Sequence, residues 1–269
     1  MLPNPRGGVG SFRRKTTRPC ASSLPDRCCD EKTGGVSISA LEITLAGFAP
    51  GLFWLWYIRR KDHNEPEPRG IIARVFGLGC ASAFLVLWLR PYIDPFAPPN
   101  AGWHRDLIDA FLLTAVPEET AKFLAFLIGA WWCSDLDEPL DGIVYGAAAA
   151  LGFASAENVF YLIQTGDPAL MALRAFTATL AHVGFTASLC FSVSLSRFGV
   201  CGNRWLIGIG AFIAAVVFHG GYNLFLWRGP QYTHLALLGI LPLSLALLGA
   251  KIKWSQKQST LLHPRPAKV

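Results

Sequence analysis

Ionisable side chains stand in the middle of a long apolar stretch of this chain. The stretch runs from Leu107 to Trp132, and Glu118, Glu119 and Lys122 lie near its centre. An ionised side chain at the middle of a bilayer costs about 2.5–3.5 kcal/mol on insertion scales, so such groups need partners and a water-filled cavity. A carboxylate positioned beside water can act as a general base, and the two glutamates are candidates for that chemistry.

Later apolar stretches contribute further polar side chains, and helical spacing pairs them. The pairs four residues apart are Phe153 with Glu157, His182 with Thr186, and His219 with Asn223, and Asn158 directly follows Glu157. Residues four apart share one face of a helix. Glu118 and Lys122 are also four apart, whereas the adjacent Glu118 and Glu119 point about 100° apart. One glutamate can therefore face a cavity while Lys122 or a neighbouring helix holds the other.

Composition indicates a membrane protein. Hydrophobic residues make up 52% of the 269 residues and charged residues only 16%, with a mean hydropathy of +0.36, whereas a soluble domain carries about 25% charged residues. Apolar stretches of about 20 residues recur, each long enough to cross a bilayer as a helix. We therefore predict an all-α, polytopic transmembrane helix bundle of about seven spans, integral in a plasma or inner membrane. The spans are expected at residues 37–58, 75–93, 107–132, 142–164, 175–196, 205–227 and 235–250.

The two ends of the chain are predicted to be tails. Residues 1–36 form a flexible basic tail with cysteines, residues 37–250 the transmembrane domain, and residues 251–269 a basic C-terminal tail. Lys and Arg near the spans are more frequent on the C-terminal face, which favours a cytoplasmic C-terminus. The net charge of +6 follows from such loop residues, so nucleic acid is not an expected partner. The seven cysteines form no CxxC pair and are expected to be unpaired thiols.

Alternation of the spans predicts that four polar groups share one depth. Glu118, Glu157, His182 and His219 each lie seven to eleven residues from a span end on the N-terminal face. With a rise of about 1.5 Å per residue, all four are expected about 10–17 Å below that face. A shared depth favours one common site, approached from the N-terminal side.

Other classes of protein also use buried carboxylates and imidazoles. Taken singly, the glutamate pair with Lys122 could be a structural ion pair, and each histidine a hydrogen-bonding group between helices. Chains of buried Glu and His also serve as proton relays, so a proton- or ion-coupled transporter or channel is an alternative. A non-catalytic membrane scaffold or immunity factor is another. The sequence shows no internal repeat, which counts against an inverted-repeat transporter.

The polar pattern resembles the four motifs of a protease family. The matching residues, within residues 105–225, are Glu118-Glu119-x-x-Lys122, Phe153-x-x-x-Glu157-Asn158, His182-x-x-x-Thr186 and His219-x-x-x-Asn223. The pattern is similar to that of the PrsW family of intramembrane proteases, which is related to type II CAAX prenyl proteases and bacteriocin-immunity-type membrane proteins. The resemblance implies a protease-like domain at residues 37–250. It also implies hydrolysis of a peptide bond in a membrane-associated protein substrate.

The resemblance further implies roles for individual residues. The catalytic candidates are Glu118, Glu119, Lys122, Glu157, Asn158, His182, His219 and Asn223. One glutamate would activate water, the two histidines would orient it, and Asn223 would stabilise the oxyanion. The candidate ligands for zinc or another divalent metal are Glu119, Glu157, His182 and His219. A metal-free glutamate mechanism stays open beside the metal-dependent one, and so does the choice between the two glutamates as base.

Overall fold

The computed structural model describes residues 39–61, 66–99, 101–198 and 203–262 of the chain. Within these ranges the protein is helical and has no strand, so the predicted all-α class is confirmed. The predicted N-terminal tail, residues 263–269 and four of the seven cysteines lie outside the described residues. The other three cysteines, Cys80, Cys133 and Cys190, are free thiols, as expected.

Ten α-helices follow one another in the described part of the chain. They are α1 Ala40–Arg59, α2 Arg69–Ile93, α3 Trp103–Leu107, α4 Val116–Phe126, α5 Pro139–Thr165, α6 Pro168–Phe176, α7 Ala178–Arg197, α8 Arg204–Trp227, α9 Pro230–His234 and α10 Leu241–Leu262. Three π-helical segments lie between or after them, at Ile108–Ala115, Leu127–Trp131 and Leu235–Ile240.

The predicted spans correspond to seven helical stretches. Six are long and apolar enough to cross a membrane: Ala40–Arg59, Arg69–Phe96, Pro139–Thr165, Pro168–Arg197, Arg204–Trp227 and Pro230–Gln258. The remaining predicted span, residues 107–132, is also helical, but it is divided among α3, α4 and two π-helical segments. It is also the stretch that carries the glutamate pair and Lys122.

Capping side chains, and not apolarity alone, determine where several helices begin. Ser39 accepts from the backbone N–H of Glu42 and begins α1, and Asp167 caps α6. The second helix begins at Arg69, earlier than expected from the apolar residues. The last helix runs to Leu262, so part of the predicted tail at 251–269 is helical. Polar residues with high helix propensity, such as Lys and Gln, can extend a helix beyond its apolar part. A hydropathy profile does not detect such an extension.

The centre of the bundle is α5, which is buried along most of its length. Its small residues allow this, because neighbouring backbones approach where a side chain would clash. A Cβ on Gly152 would lie 2.0 Å from the carbonyl oxygen of Phe76 in α2, and one on Gly146 would lie 2.6 Å from Cβ of Cys190 in α7. The small residues of this helix therefore permit close packing against its neighbours.

The chain reaches the glutamate pair through a change of helix type. The π-helical segment Ile108–Ala115 leads directly into α4, and Pro117 is the second residue of α4. Proline has no N–H to donate, and π-helical turns are frequent at functional sites. Glu118 and Glu119 occupy the first turn of α4 after this irregular stretch.

Candidate active site

Four helices bring the predicted polar groups into one cluster. The glutamate pair and Lys122 come from α4, Glu157 from α5, His182 and Thr186 from α7, and His219 from α8. Helix α7 runs antiparallel to α5 and α8. Gly142 at the start of α5 and Gly208 at the start of α8 lie beside Ser194 and Val193, which are near the end of α7. This arrangement places the end of α5, the start of α7 and the end of α8 at one end of the bundle.

Glu119 is fully engaged by its neighbours. It is completely buried, and its Oε1 accepts from Lys122 Nζ at 2.5 Å and from His219 Nδ1 at 2.7 Å. Its Oε2 accepts from the Thr186 hydroxyl at 2.8 Å. The sequence spacing favoured a pair between Glu118 and Lys122, but the structure places Lys122 closer to Glu119. Because a buried ion pair needs this kind of satisfaction, Glu119 is a structural anchor of the cluster.

Glu118 has a different environment from its neighbour in sequence. Its side chain is buried, with 7% of the residue exposed, yet its Oε2 has no hydrogen-bond partner among the described residues. The nearest polar atoms are His219 Nε2 at 3.6 Å and Lys122 Nζ at 3.9 Å. Buried carboxylate oxygens are normally satisfied, so this atom is available to water, a metal ion or a substrate.

The surrounding charges fix the tautomers of both histidines. Lys122 Nζ lies 3.0 Å from Nδ1 of His182, and an ammonium group can only donate, so this nitrogen accepts. The proton of His182 is then on Nε2, which donates to Glu157 Oε2 at 3.0 Å. In the neutral form of His219 with Nδ1 donating to Glu119, Nε2 has a lone pair that faces Glu118.

Arg174 of α6 also belongs to the cluster, although it is part of none of the sequence motifs. Its Nη2 lies 2.8 Å from Glu157 Oε2, and its Nε donates to Asn158 Oδ1 at 2.9 Å. Asn158 in turn donates to the Thr179 hydroxyl at 3.1 Å. Asn158 therefore faces Arg174 and α7 rather than the glutamate pair. The only sequence signal for Arg174 was its place just before the span that carries His182.

A small cavity of about 50 Å³ adjoins the cluster. Its lining includes Glu157, His182, His219, Tyr222 and Asn223. The half-buried amide of Asn223 makes no side-chain hydrogen bond to another described residue, so it is free to donate to a bound group. The cavity continues past Leu226 and Trp227 towards the end of α8.

Aromatic rings enclose the charged groups. Lys122 Nζ lies 4.8 Å from the centre of the Phe153 ring, which also packs 5.6 Å from the His182 ring. Phe185 stacks on His219 at 5.6 Å. These rings exclude bulk water and strengthen the electrostatic interactions between the polar groups.

Three of the buried side chains could hold a metal ion. Glu118, His182 and His219 each offer a ligand atom, and these atoms lie within 4.8 Å of one another. This set contains Glu118 where the sequence-based set had Glu119 and Glu157, because Lys122 and Thr186 engage Glu119 and Arg174 engages Glu157. Two imidazoles and a carboxylate with an unpartnered oxygen are a donor set that fits zinc.

The fold and this cluster define a class: a multi-pass membrane protein with a hydrolase-type carboxylate and imidazole centre inside its helix bundle. The family described as "PrsW family intramembrane metalloprotease" matches residues 67–247. The chain belongs to this family. It is an intramembrane protease, integral in a lipid bilayer, and its substrates are proteins.

Curated relatives named "Protease PrsW" support the assignment. The protein of Geobacillus kaustophilus is 32% identical over 66% of this chain and 76% of its own length. The protein of Bacillus subtilis is 31% identical over 68% of this chain and 82% of its own length. The protein of Shouchella clausii is 27% identical over 82% of this chain and 98% of its own length. No solved structure matches the chain. The resemblance inferred from the motifs is thus confirmed, and the protease interpretation prevails over the transporter and scaffold alternatives.

Proposed function

We propose that Glu118 is the general base that activates water for hydrolysis of a peptide bond in a membrane-associated protein. The observation that carries this proposal is the contrast between the two glutamates. Glu119 has three hydrogen-bonded partners, whereas Glu118 Oε2 is buried without a partner in the part of the chain that the structure describes. A base must have a free oxygen for the proton that it removes.

In this mechanism Glu118 takes a proton from water, and the oxygen of the resulting hydroxide attacks the carbonyl carbon of the scissile bond. A C–O bond forms and the carbonyl oxygen becomes an oxyanion. Glu118 then passes its proton to the amide nitrogen, the C–N bond breaks as the oxyanion re-forms the carbonyl, and a carboxylic acid and an amine are released. The acid then gives its remaining proton to the amine, so the products leave as a carboxylate and an ammonium group. The bare Nε2 of His219 accepts a hydrogen bond from the water and holds it beside Glu118.

Other residues support the reacting groups. The amide of Asn223 lines the cavity and is placed to donate to the developing oxyanion. Glu119 and Lys122 hold the tautomers of His219 and His182. Arg174 is a positioning residue, because it fixes Glu157, which accepts from His182.

A divalent metal ion fits the same place. Glu118, His182 and His219 would hold it, after His182 exchanges one of its present hydrogen bonds for the ion. A bound ion would polarise the scissile carbonyl and lower the pKa of water. Glu118 would then serve both as a ligand of the ion and as the group that takes up the proton.

The proposal is tested by comparing cells that produce the wild-type protein with cells that produce Glu118→Gln. Fragments of membrane proteins with new N-termini should be present only with the wild type. Glu42→Gln is the matched control, because Glu42 lies on the surface and only caps α1. Identical fragment sets from wild type and Glu118→Gln would overturn the assignment of the base.

Metal dependence is tested on the purified protein. We expect about one divalent ion per chain in the wild type and loss of that ion in His219→Ala, measured by elemental analysis. An active preparation that contains no stoichiometric metal and resists chelators would instead establish the metal-free glutamate mechanism.

A further inference from the structure

The catalytic cluster is deeply buried, although hydrolysis requires water at the reacting carboxylate. Glu119 and Lys122 are completely buried, and Glu118 and His219 are nearly so. Each hydrolysis consumes one water molecule. A peptide bound over the small cavity beside Asn223 would cover this side of the cluster, so water needs another place close to the site.

A second, larger cavity lies behind the cluster, between α7, α8 and α10. Its volume is about 130 Å³, which has room for several water molecules. Its lining includes three serines and one lysine, namely Ser188, Ser192, Ser244 and Lys251. Water in a protein interior needs two to four polar partners, and these side chains supply them.

Two of these groups are incompletely satisfied by the protein. The hydroxyl oxygen of Ser188 is buried and has no hydrogen-bond partner among the described residues. Lys251 Nζ donates to the carbonyl of Ser188 at 3.1 Å and to the Ser192 hydroxyl at 3.5 Å, but no acidic side chain of the described part of the chain pairs with it. An ammonium group and a hydroxyl without these partners are normally hydrated.

The two cavities share one lining residue. Phe185 lines both cavities, and its ring stacks on His219 at a centroid distance of 5.6 Å and on Phe218 at 6.1 Å. The polar end of the second cavity, at Ser192 and Lys251, lies towards the end of α7, away from the end that carries Asn223 and Trp227.

We propose that the cavity lined by Ser188, Ser192, Ser244 and Lys251 holds the water consumed in hydrolysis, and that Phe185 admits this water to the catalytic cluster. Substrate and water then reach the site from opposite ends of the bundle. The inference rests on the proposed hydrolytic function of the cluster, but the hydration of the cavity can be measured without cleavage.

The first experiment measures water access. Ser188→Cys, in sealed vesicles, should react with a small membrane-impermeant thiosulfonate added from the face that exposes the half-buried native Cys133. The native Cys190, fully buried two residues further along α7, is the internal control and should stay unmodified. Absence of labelling at the introduced thiol of Ser188→Cys would overturn the proposal, whether or not the protein cleaves its substrates.

The second experiment measures turnover. Ser188→Leu fills the cavity with apolar atoms and should lower kcat about tenfold while KM is unchanged, since only water is displaced. Ser196→Leu is the matched control, because Ser196 lies two turns further on the same helix and lines a different groove. Full turnover in Ser188→Leu would overturn the proposal. Cleavage retained in Glu118→Gln would instead overturn only the assignment of the base.

Discussion

Adjacent carboxylates in the first turn of α4 have distinct surroundings. Glu119 accepts hydrogen bonds from Lys122, Thr186 and His219, and it is wholly buried. Glu118 keeps an oxygen without a partner among the described residues, close to the bare nitrogen of His219. The difference follows from the angle of about 100° between neighbouring side chains on a helix, which turns Glu119 towards Thr186 of α7 and Glu118 towards Nε2 of His219.

The first prediction compares amide replacements of the two glutamates. Glu118→Gln should lose about 10²–10⁴ in cleavage rate, because an amide cannot take a proton from water. Glu119→Gln should show a smaller defect, since Gln retains one carbonyl oxygen for Lys122 and His219. Cleavage of a fusion substrate in membranes, normalised to the amount of enzyme, measures both. A larger loss in Glu119→Gln would reverse the two roles.

The second prediction concerns Lys122, whose ammonium group is buried against Glu119. Lys122→Met leaves that carboxylate without its cation, and breaking a buried pair in this way costs about 3–5 kcal/mol. We expect a lower unfolding temperature in detergent than for Glu118→Gln. The double variant Lys122→Met with Glu119→Gln removes both charges and should recover part of the loss. No recovery would show that Lys122 stabilises the fold through its other contacts, to His182 and Phe153.

At the scale of whole helices, α5 sets the geometry of the site. It packs closely on α2 and α7 at its glycines, and the same helix carries Phe153 and Glu157. Any separation of α5 from α2 would displace both side chains relative to Lys122 and His182. The short helix α6 then closes the arrangement, because Arg174 ties it to Glu157 and Asn158 at the end of α5.

The third prediction tests the close approach of α5 and α2. In Gly152→Ala the added methyl group would lie 2.0 Å from the backbone oxygen of Phe76, so the helices must separate. Overpacking of this kind costs about 1–3 kcal/mol, and we expect less folded protein and a lower unfolding temperature. Gly77→Ala, on exposed α2 surface with no atom within 4 Å, is the control and should be unaffected. Equal stability of both variants would contradict the packing argument.

For the whole molecule, the antiparallel order of the helices decides which end of the bundle opens to the substrate. The cavity beside Asn223 is lined by the end of α5, the start of α7 and the end of α8. At the other end, Arg197 of α7 donates to the backbone oxygens of Trp131 and Cys133. The cavity beside Asn223 and Cys133 therefore lie towards opposite membrane faces.

The fourth prediction is that Leu226→Cys and the native Cys133 react with an impermeant thiol reagent from opposite sides of sealed vesicles. Leu226 lines the substrate cavity near the end of α8, whereas Cys133 lies in the loop before α5. Selective labelling followed by mass spectrometry of the two peptides would measure this. Modification of both cysteines from the same side would exclude the expected opening at the N-terminal face.

The sequence by itself determined the class of fold and the set of polar residues, because both are local properties. Apolar length and composition predicted the helical spans, and four-residue spacing placed Glu157 beside Phe153 and His182 beside Thr186. The resemblance of these polar positions to the motifs of the PrsW family indicated an intramembrane protease, and the comparison with relatives confirmed this assignment. Helix ends were less well predicted, since Ser39, Asp167 and the polar residues after 250 decide them rather than hydropathy.

Only the tertiary structure decided how these residues divide their roles. The rotation of α4 about its axis determines that Lys122 bonds to Glu119 and leaves Glu118 with an oxygen that no described residue pairs. The break between α6 and α7 brings Arg174 to Glu157, and the crossing of α7, α8 and α10 encloses the cavity beside Phe185. Spacing along one helix fixes which residues share a face, but contacts between helices depend on how those faces turn towards each other, and that is set by packing over the whole bundle.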